Sequence, residues 1–144
     1  MSELFLIGRI GPTWVGLPAE QVEAVVPLAE AVAVPHAPRG VRGIVAIRSR
    51  LLALIDSSVV AGCGTASHDA LMVIVTSGGH GYALTLDAVD DVVPLDPIGP
   101  VIVQLDHAWQ SLASAMADHA GRAILIVEPA RLIESAQTEY VDAA

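Results

Sequence analysis

Two stretches of the chain carry one pattern of apolar and polar positions. EQVEAVVPL (Glu20–Leu28) is echoed by DAVDDVVPL (Asp87–Leu95), and Leu4–Leu28 lies over Leu71–Leu95 without a gap. Each copy opens on an apolar, β-branched run (LFLIGRI, LMVIV), passes a Gly or Pro turn (GPT, SGGHG) and enters a second run (WVGL, YALTL), which predicts a β-hairpin. An acidic segment follows, in which Val22, Val25 and Val26 match Val89, Val92 and Val93. Their i, i+3, i+4 spacing predicts one face of a short helix, which Pro27 and Pro94 end by removing a backbone donor. Further on, GIVAIRSRLLALID and SLASAMADHAGRAILIVE both predict strand, polar turn, strand. The Pro-rich stretches AEAVAVPHAPRGVR and DPIGPVIVQLDH suit surface connections. PARLIESAQ predicts a short helix with Pro129 in its first turn, and residues from about 136 to 144 are expected to be a mobile tail.

The pattern describes a mostly β chain built twice. Two small sheets, each curled to hide its edges and packed on the other, satisfy both the duplication and the apolar content. At 144 residues the chain makes a single domain, 1–144, with half-repeats from about 4 to 68 and from about 71 to 135.

Composition narrows what such a domain does. The hydrophobic fraction is 53% with few aromatics, so Val, Ile, Leu and Ala build the interior. A formal charge of −9 repels phosphate backbones and anionic lipid, which argues against nucleic acid as a partner. Cys63 is the one cysteine, so no intramolecular disulfide forms, and its GCG context offers no base to activate it. MSELFLIGRI places Glu3 where a secretion signal carries positive charge, and Arg9 interrupts an apolar run too short to span a bilayer. A cytoplasmic protein without membrane insertion is expected.

Nothing in the spacing points to catalysis. His36, His68, His80, His107 and His119 show no H-x-x-x-H pairing and there is no Cys-x-x-Cys, so neither a metal nor a cofactor is expected. Ser67, His68 and Asp69 are consecutive and cannot converge as a triad. No G-x-S-x-G elbow or P-loop is present, and GCGTAS lacks the third glycine of a dinucleotide fingerprint. The SGGHG stretch is explained as a turn.

The order of these segments resembles the CheW-like adaptor domain of bacterial chemotaxis. LFLIGRI is similar to the family's opening strand, and PHAPRGVRGIVAIRSRLLALID (Pro35–Asp56) resembles its proline-led Gly-Val-Ile-Asn-Leu-Arg-Gly hairpin ending in Pro-Val-Ile-Asp. YALTLDAVDDVVPL (Tyr82–Leu95) looks like the later strand pair ending in Val-Asp-x-Val, and RAILIVEPARLI (Arg122–Ile133) like the closing strand and helix. The likeness runs from Leu4 to Ile133 and rests on order and spacing rather than on any single motif.

The resemblance implies two five-stranded, SH3-like β-barrels side by side with short helices. It also implies a non-catalytic adaptor in a two-component pathway, recruited to membrane receptor arrays. The partners so implied are the regulatory domain of a CheA-type histidine kinase and the helical cytoplasmic tip of methyl-accepting chemotaxis receptors, the latter held in an apolar groove. Carried over position by position, the groove residues are Val22, Ala24, Val25, Gly43, Ile47, Arg48 and Ser49. Four of the family's positions differ here: Ala24 stands where a Glu opposing the Arg is expected, Ser49 where Gly follows it, and Ala46 and Ala53 replace Asn and Pro. Glu23 is the nearest carboxylate, but one residue on a helix rotates a side chain by about 100°.

Plainer roles fit the same residues. Val22, Val25, Val89 and Val92 suit a core, Arg48 a solvated hairpin tip, Asp90 and Asp91 a solvated face, and Gly43 a backbone requirement. Beside the two-partner adaptor stand a self-associating or competitor protein that binds one partner, and a small-molecule-binding barrel.

Overall fold

The computed structural model describes residues 3–99 and 107–142; residues 100–106 of the second Pro-rich connection and the last two of the expected tail lie outside them. The described residues form ten strands: β1 (Glu3–Ile10), β2 (Thr13–Pro18), β3 (Val22–Pro27), β4 (Val41–Ile47), β5 (Arg50–Ile55), β6 (Leu71–Ser77), β7 (His80–Leu86), β8 (Ala88–Leu95), β9 (Ala113–His119) and β10 (Arg122–Val127). Three helices accompany them, α1 (Ser57–Val60), α2 (His107–Leu112) and α3 (Pro129–Asp142), with a 3₁₀ turn at Ala19–Gln21. Helix α3 starts at Pro129 as expected and takes in residues 136–142 of the expected tail.

The strands form two five-stranded sheets, β8-β1-β2-β10-β9 and β3-β6-β7-β5-β4. Four hairpins turn through two residues each: Gly11–Pro12, Arg48–Ser49, Gly78–Gly79 and Ala120–Gly121. The last three have positive φ at both positions, the mirror-image turn whose twist matches that of the flanking strands.

The segments expected as short helices, containing Val22, Val25 and Val26 and then Val89, Val92 and Val93, are the strands β3 and β8. Both are edge strands, where Pro27 and Pro94 cost no ladder bond. Each carries a bulge: the register of β3 against β6 shifts between Val22 and Ala24, and that of β8 against β1 between Val89 and Val92. One extra residue reproduces an i, i+3 spacing on a strand, which is why the pattern imitates a helix. The matched valines then reach three different environments. Val22 and Val89 pack on the core between the sheets, Val25 and Val92 are exposed, and Val26 and Val93 pack into the interiors of their own sheets.

Alternation along β1, β6 and β10 divides their side chains between cores. Phe5 and Ile7 of β1, with Ile124 and Ile126 of β10, fill the first sheet, while Leu6, Ile10, Leu125 and Val127 point to the shared core. Met72 and Ile74 of β6 fill the second sheet, and Val73 and Val75 meet the shared core beside Leu132, Ile133 and Ala136 of α3. Strands buried on both faces read as unbroken apolar runs, as β1, β6 and β10 do.

Each sheet is drawn closed by one further bridge just past its edge strand. Val32, downstream of β3, exchanges two 2.9 Å hydrogen bonds with Ile44 on the opposite edge, and Ile98, downstream of β8, exchanges bonds of 2.7 and 3.0 Å with Met116 of β9. Among the described residues, the barrels expected from the sequence are therefore curled sheets whose edges meet at single residue pairs.

Candidate functional site

The β4–β5 hairpin and the neighbouring end of β3 enclose a depression of about 130 Å³, lined by Glu23, Ala24, Val26, Ile47, Arg48, Arg50, Leu52 and Ile74. Its floor is apolar and its rim charged. The floor exists because Ala24, Val26 and Ile47 pack on the second sheet's interior cluster from its open end.

Glu23 is the extra residue of the β3 bulge, and the bulge turns it to the rim. Its carboxylate accepts from the Thr76 hydroxyl and, at 2.9 Å, from a guanidinium N–H of Arg50. The Thr76 hydrogen bond first and the Arg50 hydrogen bond second, helped least by the Arg50 charge, hold the Glu23 carboxyl below the usual glutamate range and outweigh the opposing effect of burial. Arg50 reaches Glu23 by lying across Gly81 of β7: a Cβ there would sit 2.4 Å from its guanidinium nitrogen. The charge pair that the family resemblance places at Arg48 is formed here by Glu23 and Arg50.

Arg48 is left exposed at the hairpin tip, with no carboxylate partner among the described residues. A guanidinium beside an apolar floor suits a partner that offers a carboxylate next to apolar side chains. Arg42, by contrast, is committed to the buried Asp56, which also caps the N-terminus of α1 through Val59 N–H.

Of the seven residues carried over from the sequence, the depression gathers Ala24, Ile47 and Arg48. Ser49 shares the tip. Val22 packs on the central core, Val25 is exposed away from the depression, and Gly43 lies at the bulge of β4 under Val32. Thr76, Arg50 and Ile74 were not anticipated, since Thr76 and Ile74 arrive from the second repeat. The alternating Arg48-Ser49-Arg50 run is the one sequence signal that points to Arg50.

Arg48 and Ser49 hold φ values of 49° and 68°, a region that costs an L-residue roughly 1–2 kcal/mol. Ser49→Gly, which restores the residue expected after the Arg, is predicted to raise stability by about 0.5–1 kcal/mol, read as a higher urea midpoint at unchanged m-value. A midpoint that does not rise would mean that the tip is not under this strain.

Among the described residues no group of three or more His, Cys, Asp or Glu side chains is placed to hold a metal ion, and no helix is long and apolar enough to cross a membrane. The interiors of both sheets are filled by their own side chains.

Comparison with known proteins agrees with this geometry. The sequence model of the CheW-like domain matches residues 4–137. No curated protein sequence matches the chain. Among solved structures, the scaffolding protein TtCheW from Thermoanaerobacter tengcongensis superimposes with a TM-score of 0.76 at 24% identity, covering 90% of this chain and 86% of that one.

Proposed function

Because the chain belongs to the CheW-like domain family, we propose that it is a non-catalytic adaptor of a chemotaxis pathway. It binds the regulatory domain of a CheA-type histidine kinase and the cytoplasmic tip of a methyl-accepting receptor, and holds the two in fixed relation. The observation that carries this reading is the depression at the β4–β5 hairpin, an apolar floor with the unpaired Arg48 on its rim and a Glu23–Arg50 pair beside it. A helix presenting an apolar stripe and a carboxylate fits that combination. Such an adaptor needs no chemistry and acts by geometry, and among the described residues the buried side chains of each sheet pack on one another in its interior.

Calorimetric titration against the kinase regulatory domains and receptor tip fragments of the same organism tests the proposal. Micromolar binding is expected, weakened at least about tenfold by Arg48→Glu, a loss of roughly 1.4 kcal/mol. Because Arg48 is exposed, the same substitution leaves the melting temperature within about a degree of wild type. Failure of the folded protein to bind any of them would remove the coupling role. Binding that Arg48→Glu leaves untouched would move the contact away from this hairpin.

A further inference from the structure

Among the described residues, every strand-to-strand ladder that is not a hairpin joins opposite halves of the chain, while the closing bridges Val32–Ile44 and Ile98–Met116 stay within one half. The hairpins β1–β2, β4–β5, β6–β7 and β9–β10 are local, whereas β8–β1, β2–β10, β3–β6 and β7–β5 each pair a strand before residue 60 with one after residue 70. Helix α3 likewise packs on α1. The first half lends β1 and β2 to one sheet and β3, β4 and β5 to the other, and the second half does the reverse. Taken alone, either half holds two hairpins and a stray strand, and isolated hairpins are marginal in water. The repeats are thus not the two sheets; they are interlocked partners joined by residues 61–70.

That linker is folded back by a few local bonds. Cys63 N–H donates to Ser58 C=O at 2.7 Å, Ala66 N–H to the Asp56 carboxylate at 3.2 Å, and Ser67 N–H to the Asp87 carboxylate at 2.8 Å. Asp56 belongs to the first half and Asp87 to the second, so each half holds part of the linker down. Ten linker residues can open to roughly 33 Å.

We propose that two copies of this chain exchange halves into a dimer, residues 3–60 of each completing both sheets with residues 71–142 of the other. Every inter-half ladder re-forms unchanged, and so do the core clusters apart from the linker's own Ala61 and Cys63, because these contacts never depended on the two halves sharing a chain. What is given up is the linker's bonds and the packing of its buried alanines, Ala61, Ala66 and Ala70. The balance between monomer and dimer is then set by protein concentration against the effective concentration that the folded-back linker provides. In the dimer each depression is shared: Glu23, Ala24, Ile47 and Arg48 come from one copy, Ile74 and Thr76 from the other. Two such sites on one particle make it bivalent. The exchange itself does not rest on the adaptor reading, and the test below involves no other protein.

The full chain is unfolded in urea, refolded at low micromolar and at near-millimolar concentration, and its mass measured by light scattering after gel filtration. Refolding at high concentration is expected to yield a dimer that survives dilution for hours and that mixes differently tagged chains only after a new cycle of unfolding. Deleting Gly62–Thr65, which removes the turn with positive φ at Gly62 and Gly64 by which the linker folds back, is expected to favour the dimer by at least about tenfold. A six-residue Gly-Ser insertion after Gly64 tests the opposite direction, and its response differs from that of a deletion variant that merely fails to fold. A dimer that mixes its chains on dilution without denaturant is a surface contact and overturns the proposal. So does a monomer–dimer balance that linker lengthening leaves where it was, or the absence of any dimer after concentrated refolding.

Discussion

Gly43→Ala is expected to lower the stability of the whole domain by about 3 kcal/mol or more, a fall in melting temperature on the order of 10 °C for a chain of this size. Gly43 sits at φ 150°, and a Cβ built on it would lie 2.3 Å from Val32 O and 2.8 Å from the same carbonyl carbon. Those atoms are backbone and cannot swing aside as a side chain would. Val32 is the residue whose two 2.9 Å bonds to Ile44 close the second sheet, so the methyl group must either break that bridge or distort the bulge between Val41 and Gly43. Breaking it leaves backbone groups unpaired and strains strand β4, which leads into the Arg48–Ser49 hairpin. Thermal melting by circular dichroism measures the effect. A melt within two degrees of wild type would show that the sheet holds without its closing bridge. The glycine that the family resemblance places beside a partner thus has a sufficient reason in the backbone.

The second large effect centres on Asp87. Its carboxylate accepts from Gly11 N–H at 2.7 Å, Ser58 Oγ at 3.0 Å and Ser67 N–H at 2.8 Å, while its own N–H donates to Arg9 C=O at 2.7 Å. One side chain thereby ties the β1–β2 turn of the first sheet, helix α1 and the linker between the halves to the end of β7. Partial burial pushes its pKa up. The hydrogen bonds from Ser67, Gly11 and Ser58 and the nearby Arg9 charge outweigh that, and the carboxyl lies below the usual aspartate range. Asp87→Asn turns an amide toward donors that need an acceptor, and a loss of about 2–3 kcal/mol is expected from charge-assisted bonds of this kind.

The pH dependence follows from the direction of the shift. The unfolded chain holds the Asp87 proton more tightly than the folded one, so acid favours unfolding. The contribution is complete above the unfolded value of about 4 and is lost as pH falls through the lower folded value. Glu23, also held below its ordinary range, adds to the same acidic window. Urea titrations from neutral pH downward should therefore show wild-type stability falling below about pH 4, with a shallower fall in Asp87→Asn. Parallel curves for the two proteins would rule Asp87 out as a source of the acid sensitivity.

How far the residues themselves announced this arrangement differs from one element to the next. The hairpins were legible because Gly-Gly and short polar pairs between apolar runs admit few other structures. The helix after the last strand was legible from Pro129. The valine segments were not, because a bulged strand and a short helix place side chains at the same i, i+3 spacing, and the choice falls to whichever neighbour supplies hydrogen bonds. For β3 that neighbour is β6, some fifty residues away, pairing Val22 with Val75 and Pro27 with Leu71. The depression was legible in part: Ala24, Ile47 and Arg48, named from the sequence, line it together, whereas Thr76 and Ile74 reach its neighbourhood only through the same β3–β6 pairing.

What the sequence by itself determined is the local and periodic content: a β chain built twice, its hairpins, its apolar faces and its family. These depend on spacing and on turn chemistry within a few residues. Tertiary structure alone decided which half completes which sheet, that Glu23 pairs with Arg50 while Arg48 stays open, and that Gly43 and Asp87 hold the closure. Each of these is a contact between segments far apart along the chain, where pairing depends on which edges and cores meet in space.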